Sequence, residues 1–460
     1  MPWPRLWMRP SSSRATTLRR PTSSAPCSAV RILLTGANGF IGRQLLAGLR
    51  RRGHDVVAAV RDPQALRQRA PGVEAIAADF NRDTLPEIWG PRLAGIDAVI
   101  NCAGVLQGGR DQNIEAIHAT APIALFDACV RAGVGKMVQL SAISADADVG
   151  TDYALTKKRA DDHLRTLALD WTVLRPSLVY GDGSYGGTSA IRGLAGLPLA
   201  TPLVGDGSAA FRPLHIADLV ETVVRVVESD RFARLTLEPV GPEILTLREI
   251  VARYRRWLGL GPALELFIPL PVMRAIGRVA DFAGGGPMGS AGLRQLLAGN
   301  VGREPAGVFE QAIGFRSASM DERLAEQPAG TQDMWHARLY FLKPLLRLTL
   351  AVLWLGSAIA GVLAPIDAYA TVADSLAKIG LPPRILAIGF SLLDLAIAAA
   401  LLLRLRPRLV AGVQVVVVLS YTVGLSFLAP SLWLDPYGAL LKNLPVLAAI
   451  AVWAVLEEER

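Results

Sequence analysis

The chain has 460 residues, 51% of them hydrophobic, and a formal net charge of +8. Its mean hydropathy of +0.34 is high for a water-soluble protein, and the apolar excess sits after residue 340. The basic residues gather in the first thirty positions and around the apolar segments rather than along one stripe, which argues against nucleic acid and for a membrane surface.

Residues 1–29 hold Arg5, Arg9, Arg14, Arg19 and Arg20, no acid, and many Ser, Thr and Pro. No apolar segment of the secretory kind follows, so the stretch reads as a disordered basic tail, with an organellar transit peptide as the alternative. The three cysteines, Cys27, Cys102 and Cys129, show neither metal nor disulfide spacing. Cys102 and Cys129 are expected as buried, reduced thiols, and no metal site is expected.

Residues 30–42 are the organising stretch. The apolar run Ile32–Leu34 predicts a buried strand. It breaks into Thr35-Gly36-Ala37-Asn38-Gly39-Phe40-Ile41-Gly42, and a helical pattern follows through Leu45, Leu46 and Leu49. Strand, glycine turn and helix in this order cradle a dinucleotide. Gly36 permits the tight turn, Gly39 lets the backbone touch a pyrophosphate, and Gly42 lets the helix pack on the strand. The helix-start N–H groups and dipole then face the phosphates.

From 30 to about 180 strands and helices alternate. Strands are predicted at 30–34, 55–60, 73–77, 97–101, 136–140 and 171–174, with helices such as 120–132 and 152–169 between them. The pattern predicts an α/β, Rossmann-type doubly wound parallel sheet. The second strand ends at Arg61-Asp62. An arginine there accommodates a 2′-phosphate, whereas a carboxylate takes the 2′-hydroxyl of NAD. Arg61 comes first, so NADP is expected and NAD stays open. Asp79-Phe80 follow the third strand, where Asp79 would meet the adenine amino group. Asn101-Cys102-Ala103-Gly104 end the fourth strand, beside the second ribose.

Tyr153 and Lys157 stand four residues apart, on one face of a helix. A nearby ammonium stabilises phenolate and lowers a tyrosine pKa, which suits Tyr153 to acid/base work on a carbonyl or carbinol oxygen. Ser141 follows the fifth strand and is expected to hydrogen-bond the same oxygen.

These pieces, with Leu174-Arg175-Pro176-Ser177-Leu178-Val179-Tyr180-Gly181 and Phe211-Arg212-Pro213-Leu214-His215-Ile216-Ala217-Asp218-Leu219, make residues 30–325 resemble an extended or atypical short-chain dehydrogenase/reductase of the NAD-dependent epimerase/dehydratase superfamily. The resemblance implies that Lys157 also binds the nicotinamide ribose, that the Pro176 segment borders the nicotinamide, and that substrate contacts lie mainly in 182–325. The short interval from Ser141 to Tyr153 resembles the branch holding the nucleotide-binding accessory subunit of respiratory complex I. His118 departs from the pattern: many extended members carry an Asn there, which organises the active-site helix and a proton path.

Further on, Gly181–Gly187 and Gly205–Gly207 predict mobile loops, and Thr246-Leu247-Arg248-Glu249 a capped helix start. His215 is expected to anchor structure rather than face substrate. Residues 262–300 read as apolar and loop-rich, either a substrate cover or a surface resting on a membrane. Residues 326–338 read as a linker.

Four apolar runs follow, near 345–363, 385–403, 409–429 and 439–456, each approaching the ~20 residues that cross a bilayer. Arg404, Arg406 and Arg408 in the second connection, with Arg338, Lys343 and Arg347, place that side and the dehydrogenase domain in the cytoplasm, and the loops 364–384 and 430–438 outside. Leu353-Trp354-Leu355-Gly356-Ser357 and Leu440-Leu441-Lys442-Asn443-Leu444-Pro445 make 339–460 resemble a DoxX-like membrane domain of four helices; such domains have been linked to quinone-dependent redox chemistry, which would imply a membrane redox partner. Asp394 lies inside the second run, expected to pair with Arg347 or to hydrogen-bond Gln414.

The expectation is a multi-pass membrane protein of the inner (cytoplasmic) membrane. It would be an NAD(P)-dependent oxidoreductase moving a hydride to or from a carbonyl or alcohol of a small, hydrophobic molecule, with Ser141, Tyr153 and Lys157 as its catalytic set. Two alternatives stand beside it: a non-catalytic NADP(H)-binding assembly or sensor module, and a nucleotide-sugar epimerase or dehydratase.

Overall fold

The computed structural model describes residues 29–106, 112–145, 150–183, 186–282, 289–365 and 382–458. The expected basic tail, Cys27, Ser184 and Tyr185 of the first glycine-rich loop, Gly284–Gly286 and most of the 364–384 loop lie outside the described residues.

Six strands follow one another as β1 (Arg31–Thr35), β2 (Asp55–Val60), β3 (Glu74–Ala77), β4 (Ala98–Asn101), β5 (Lys136–Leu140) and β6 (Trp171–Leu174). With β7 (Leu235–Leu237) they form a seven-stranded sheet in the order β7-β6-β5-β4-β1-β2-β3, every neighbour parallel. Within β1 the side chains alternate between two cores. Ile32 and Leu34 face α1 (Phe40–Arg51) and α7 (Ile216–Val227), while Leu33 faces α4 (Ala121–Ala132) and α5 (Asp152–Thr166). Strand order reverses between β1 and β4, and in such sheets the crevice at the carboxyl ends of these two strands is where ligands bind. Thr35 and Asn101 stand opposite each other there.

The region after β6 builds a smaller core from α6 (Gly187–Gly196), α8 (Leu247–Trp257) and α12 (Met320–Glu326). The expected capping box at the start of α8 is present, with Glu249 N–H donating to Thr246 Oγ1. Residues 262–300 are more regular than the loop-rich reading. Leu264–Ile268 pairs in parallel with Ala200–Val204, and helices α9 (Leu270–Phe282) and α10 (Ser290–Ala298) follow. Pro269 and Pro271 open α9 instead of breaking a helix, because the first turn needs no N–H partners. The face holding Val272, Ile276 and Val279 stays exposed.

The linker reading of 326–338 is corrected. A single helix, α13, runs from Thr331 to Leu363, about 50 Å at 1.5 Å per residue. The Gly330 N–H donates to Asp333 Oδ2 at its start. Its first turns pack on α6 because small residues let the backbones meet: a Cβ on Gly196 would lie 2.7 Å from the Ala337 Cβ, and one on Gly193 2.9 Å from the Tyr340 ring. Beyond α13 come α14 (Pro383–Leu402), α15 (Pro407–Leu428) and α16 (Asn443–Glu457), which share one apolar core. Among the described residues, Thr331–Leu363 and Pro407–Leu428 are long and apolar enough to cross a bilayer, whereas Ala387–Leu402 and Asn443–Glu457 are apolar but shorter.

Candidate active site

The turn after β1 fits a dinucleotide. Gly36 has φ +67°, and a Cβ there would lie 2.8 Å from the Cys102 carbonyl carbon. A Cβ on Gly42 would fall 2.1 Å from the Gly36 carbonyl oxygen, so α1 reaches the strand only with glycine at that position. Gly39 is the N-cap of α1; no side chain caps the helix and no acid lies in its first turn. The helix start therefore keeps backbone donors and its positive dipole end for an anion. Thr35, Asn38, Gly39, Phe40 and Ile41 all lie on this strand, turn and helix start.

The Thr35 hydroxyl donates to Asn101 Oδ1 at 2.6 Å and accepts from the Cys102 N–H at 3.2 Å. Asn101 Nδ2 in turn donates to Gln139 Oε1. This buried chain ties β1, β4 and β5 together where the crevice opens, and it holds Ala103 and Gly104 at the rim.

At the end of β2, the Asp62 carboxylate caps the next helix, accepting from the Ala65 N–H at 2.9 Å. Arg61 beside it is exposed. The Asp79 carboxylate accepts from the backbone and side-chain nitrogens of Asn81 at 3.1 Å, which fixes the turn before buried Phe80.

Helix α5 carries Tyr153 and Lys157. Lys157 is buried, donates from Nζ to the Leu140 carbonyl at 3.1 Å, and sits 5.7 Å from the Tyr153 ring centre. A Cβ on Gly104 would lie 3.6 Å from Lys157 Nζ, so the strand-end loop and the helix meet at these groups. Tyr153 packs edge-on against His118, ring centres 5.2 Å apart. Pro176 is buried behind β6.

The expected lowering of the tyrosine pKa is reversed. Burial first, and the Asp161 charge second, push Tyr153 up to about 12, while burial lowers the Lys157 ammonium. Lys157 gives one of its three N–H bonds to the Leu140 carbonyl, and the low-polarity surroundings penalise the phenolate form of Tyr153. Tyr153 is thus protonated throughout the physiological range and poised to give a proton.

Ser141 sits at the end of β5 with its hydroxyl turned inward, donating to Asp161 Oδ2 at 2.7 Å. Arg175 donates to the same oxygen from Nε at 3.0 Å and Nη2 at 2.8 Å, and neither Asp161 nor Arg175 is exposed. Burial raises Asp161 to about 6, which leaves it ionised at neutral pH opposite the guanidinium. Asp161, like Arg175, was not among the candidate site residues. Its signal was present: Tyr153, Lys157 and Asp161 recur every four residues on one helix face.

His118 lies in a π-helical turn, Ala116–Thr120, a distortion found often at functional sites. Its Nε2 accepts from the Val105 N–H at 2.9 Å. Nδ1 therefore carries the proton and faces Thr156 Oγ1 at 3.2 Å, whose own proton goes to the Asp152 carbonyl. Burial and Lys157 push His118 down to about 2, so the ring clamps the Gly104–Val105 loop to α5 in its neutral form.

His215 is structural in its geometry: Nδ1 accepts from the Ala217 N–H at 3.3 Å and caps α7. Cys129 is buried, its thiol pushed up to about 12, and Cys102 is half-buried; both are free thiols. A cavity of about 260 Å³ between α1 and α7, lined by Gln44, Arg51 and His215 among others, lies apart from Tyr153 and Lys157.

Comparison with known proteins agrees with this geometry. Residues 36–194 match a model for NAD(P)H-binding proteins, and 351–451 match the DoxX-like family. A 3-diazoavenalumate denitrifying reductase of a Streptomyces species is 30% identical over 266 residues, 52% of this chain and 84% of that protein. The chain belongs to the NAD(P)H-binding family of that reductase. To this NAD(P)H-binding domain the chain joins a DoxX-like domain. A ceramide reductase of Caulobacter vibrioides is 24% identical over 253 residues, 54% of this chain and 77% of that one. A mitochondrial NADH dehydrogenase [ubiquinone] 1 alpha subcomplex subunit 9 of Arabidopsis thaliana is 24% identical over 291 residues, 60% and 70% respectively. A dTDP-glucose 4,6-dehydratase from Streptomyces venezuelae, solved with NAD, shares the fold at TM-score 0.52 and 18% identity, covering 69% of this chain and all of that one.

Proposed function

We propose that the protein is a membrane-anchored, NADPH-preferring reductase of a hydrophobic carbonyl compound. The observation that carries this is the protonated Tyr153 beside Lys157 at the rim of the dinucleotide crevice. A bound NADPH supplies the hydride. Tyr153 gives its proton to the carbonyl oxygen, and the buried Lys157 stabilises the phenolate left behind. With its proton on Asp161, Ser141 can only accept, so it takes a hydrogen bond from the alcohol product and would polarise the carbonyl only if its hydroxyl turned away from Asp161. The glycine turn and helix start would hold the pyrophosphate, Lys157 the nicotinamide-side ribose, and the Pro176 segment the nicotinamide. With Asp62 engaged as a helix cap, Arg61 is the residue at the end of β2 that reads the 2′-phosphate.

The substrate reading rests on placement. Helix α13 joins the apolar bundle directly to α6, inside the region that completes the substrate side. Helix α9 also leaves an apolar face exposed, with Val279 at 69% exposure. A relative named as a ceramide reductase points the same way. Four spans, with the reductase domain in the cytoplasm, accommodate the ionic cluster of Lys343, Arg347 and Glu457 at one end of the bundle.

A second reading, a nucleotide-binding subunit without turnover, is favoured by one observation: His118 is locked neutral where a proton path would run. The complex I relative belongs to this reading. The test feeds stereospecifically deuterated NADPH and a whole-membrane lipid extract to the purified full chain. Label in an organic-soluble product supports the reductase and gives its substrate class. No label in any product, with added sugar nucleotides interconverted without consumption of NADPH, would replace it with an epimerase or dehydratase.

A further inference from the structure

Ordered by position along the helices, several polar side-chain contacts of the C-terminal bundle can be read as a line from one end to the other. At the end nearest the reductase domain, Arg347 pairs with Glu457 at 3.5 Å and Trp453 donates to Glu457 at 3.2 Å. Deeper, Trp354 Nε1 donates to Gln414 Oε1 at 2.8 Å, with Gln414 fully buried. Next, Ser357 Oγ donates to Asp394 Oδ2 at 2.6 Å, and Tyr421 approaches the same carboxyl. Toward the far end, Asn443 Nδ2 donates to Thr422 Oγ1 at 2.8 Å, and Trp433 Nε1 to Ser426 Oγ at 2.9 Å. All four helices contribute.

Asp394 is the centre of this line. Within 348–363, 385–403, 409–428 and 443–456 it is the single Asp, Glu, Lys, Arg or His. Neither expected partner is its partner: Arg347 goes to Glu457 and Gln414 to Trp354. From α13 it faces Ser357, from α15 Tyr421, and no charged side chain reaches it among the described residues. It is 2% exposed, and Oδ1 is buried with no hydrogen-bond partner among the described residues. A carboxylate in such a place needs a proton or a cation on that oxygen. Ser357 lies ten residues beyond Arg347, about 15 Å along the helix. That is half the ~30 Å thickness of a hydrocarbon core.

We propose that the bundle is a proton route across the bilayer, with Asp394 the group that takes up and releases the proton at mid-depth. An O–H bond forms at Oδ1 on loading from one side and breaks on release to the other. No electron moves, and no co-reactant is consumed. Glu457 and its cationic partners form one mouth, and the Thr422–Asn443 and Ser426–Trp433 pairs lead to the other. The proposal rests on the membrane reading above and is independent of hydride transfer.

The test reconstitutes the full chain in phosphatidylcholine/phosphatidylglycerol vesicles holding a pH-sensitive dye. A potassium diffusion potential then drives proton flux. Flotation of the vesicles first shows whether the chain inserts; a chain left at the bottom of the gradient overturns the membrane reading and this proposal together, and leaves the reductase untouched. With insertion established, wild-type flux above protein-free vesicles is expected, falling to that baseline in Asp394→Asn and kept in Asp394→Glu and in the loop variant Asp435→Asn. Flux equal in wild type and Asp394→Asn, or no wild-type flux, overturns the proposal. Infrared spectra of the wild type, which need no variant to fold, are expected to show a protonated-carboxyl band that shifts in heavy water. Absence of that band also overturns it.

Discussion

Replacing Asp161 by Asn removes one charge from the core and little else. The amide oxygen still accepts from Ser141 and Arg175, which now lie at 2.7 to 3.0 Å from Oδ2. The guanidinium, with 0% of its side chain exposed, loses its counter-ion. Breaking a buried pair from one side costs about 3–5 kcal/mol, because the remaining charge is left uncompensated. Glu238 also acts on Arg175, so the lower end of that range is expected, about 3 kcal/mol. At 1.4 kcal/mol per decade this lowers the folded-to-unfolded ratio about 100-fold. The assay is urea unfolding of the full chain in detergent, read by circular dichroism. Asp161→Asn/Arg175→Met, which removes both charges, should recover most of the loss. A single variant within about 1 kcal/mol of wild type, or a double variant less stable than the single, would refute the reasoning.

The Tyr153 proton sets the pH behaviour. With its pKa raised to about 12, reduction should be flat from pH 6 to 9, because the acid form prevails throughout, while alcohol oxidation, which needs the phenolate, should climb about ten-fold per pH unit over the same range; parallel initial rates in both directions check this. Arg61→Ala should weaken NADPH binding about 10- to 100-fold, the loss of a charge-assisted contact, and leave NADH binding unchanged, as calorimetry would show. Gly196→Leu should drive α13 off α6, since a first Cβ already meets Ala337 at 2.7 Å, at a cost of about 1–3 kcal/mol. Protease cleavage near residue 330 would then quicken, and unchanged cleavage would count against the packing described.

The sheet was legible because its strands are short apolar runs bounded by turn residues, and the dinucleotide turn because Gly36 and Gly42 have no alternative: backbone atoms stand where their Cβ atoms would be. Tyr153 and Lys157 were legible from helical spacing. Asp161 shares that spacing, but its pairing with Arg175 was not legible, since an acid and a base on separate elements read as solvated until the fold buries them together. Pro328 and Gly330 look like linker, yet the docking of α13 depends on small residues more than 130 positions earlier, at Gly193 and Gly196. The partner of Asp394 was out of reach for the same reason. Which side chain meets it depends on how α13 and α15 are rotated, and a run of apolar residues does not encode rotation strongly.

The proposed reductase requires Tyr153 to give a proton during hydride transfer, and one experiment addresses this directly. Purified full chain, wild type beside Tyr153→Phe, is titrated with NADPH and then given one turnover of deuterated cofactor with lipid extract. Equal NADPH affinity for both, with label transferred only by wild type, is the predicted result. Equal affinity with no label from either protein would contradict this and leave a nucleotide-binding subunit in its place.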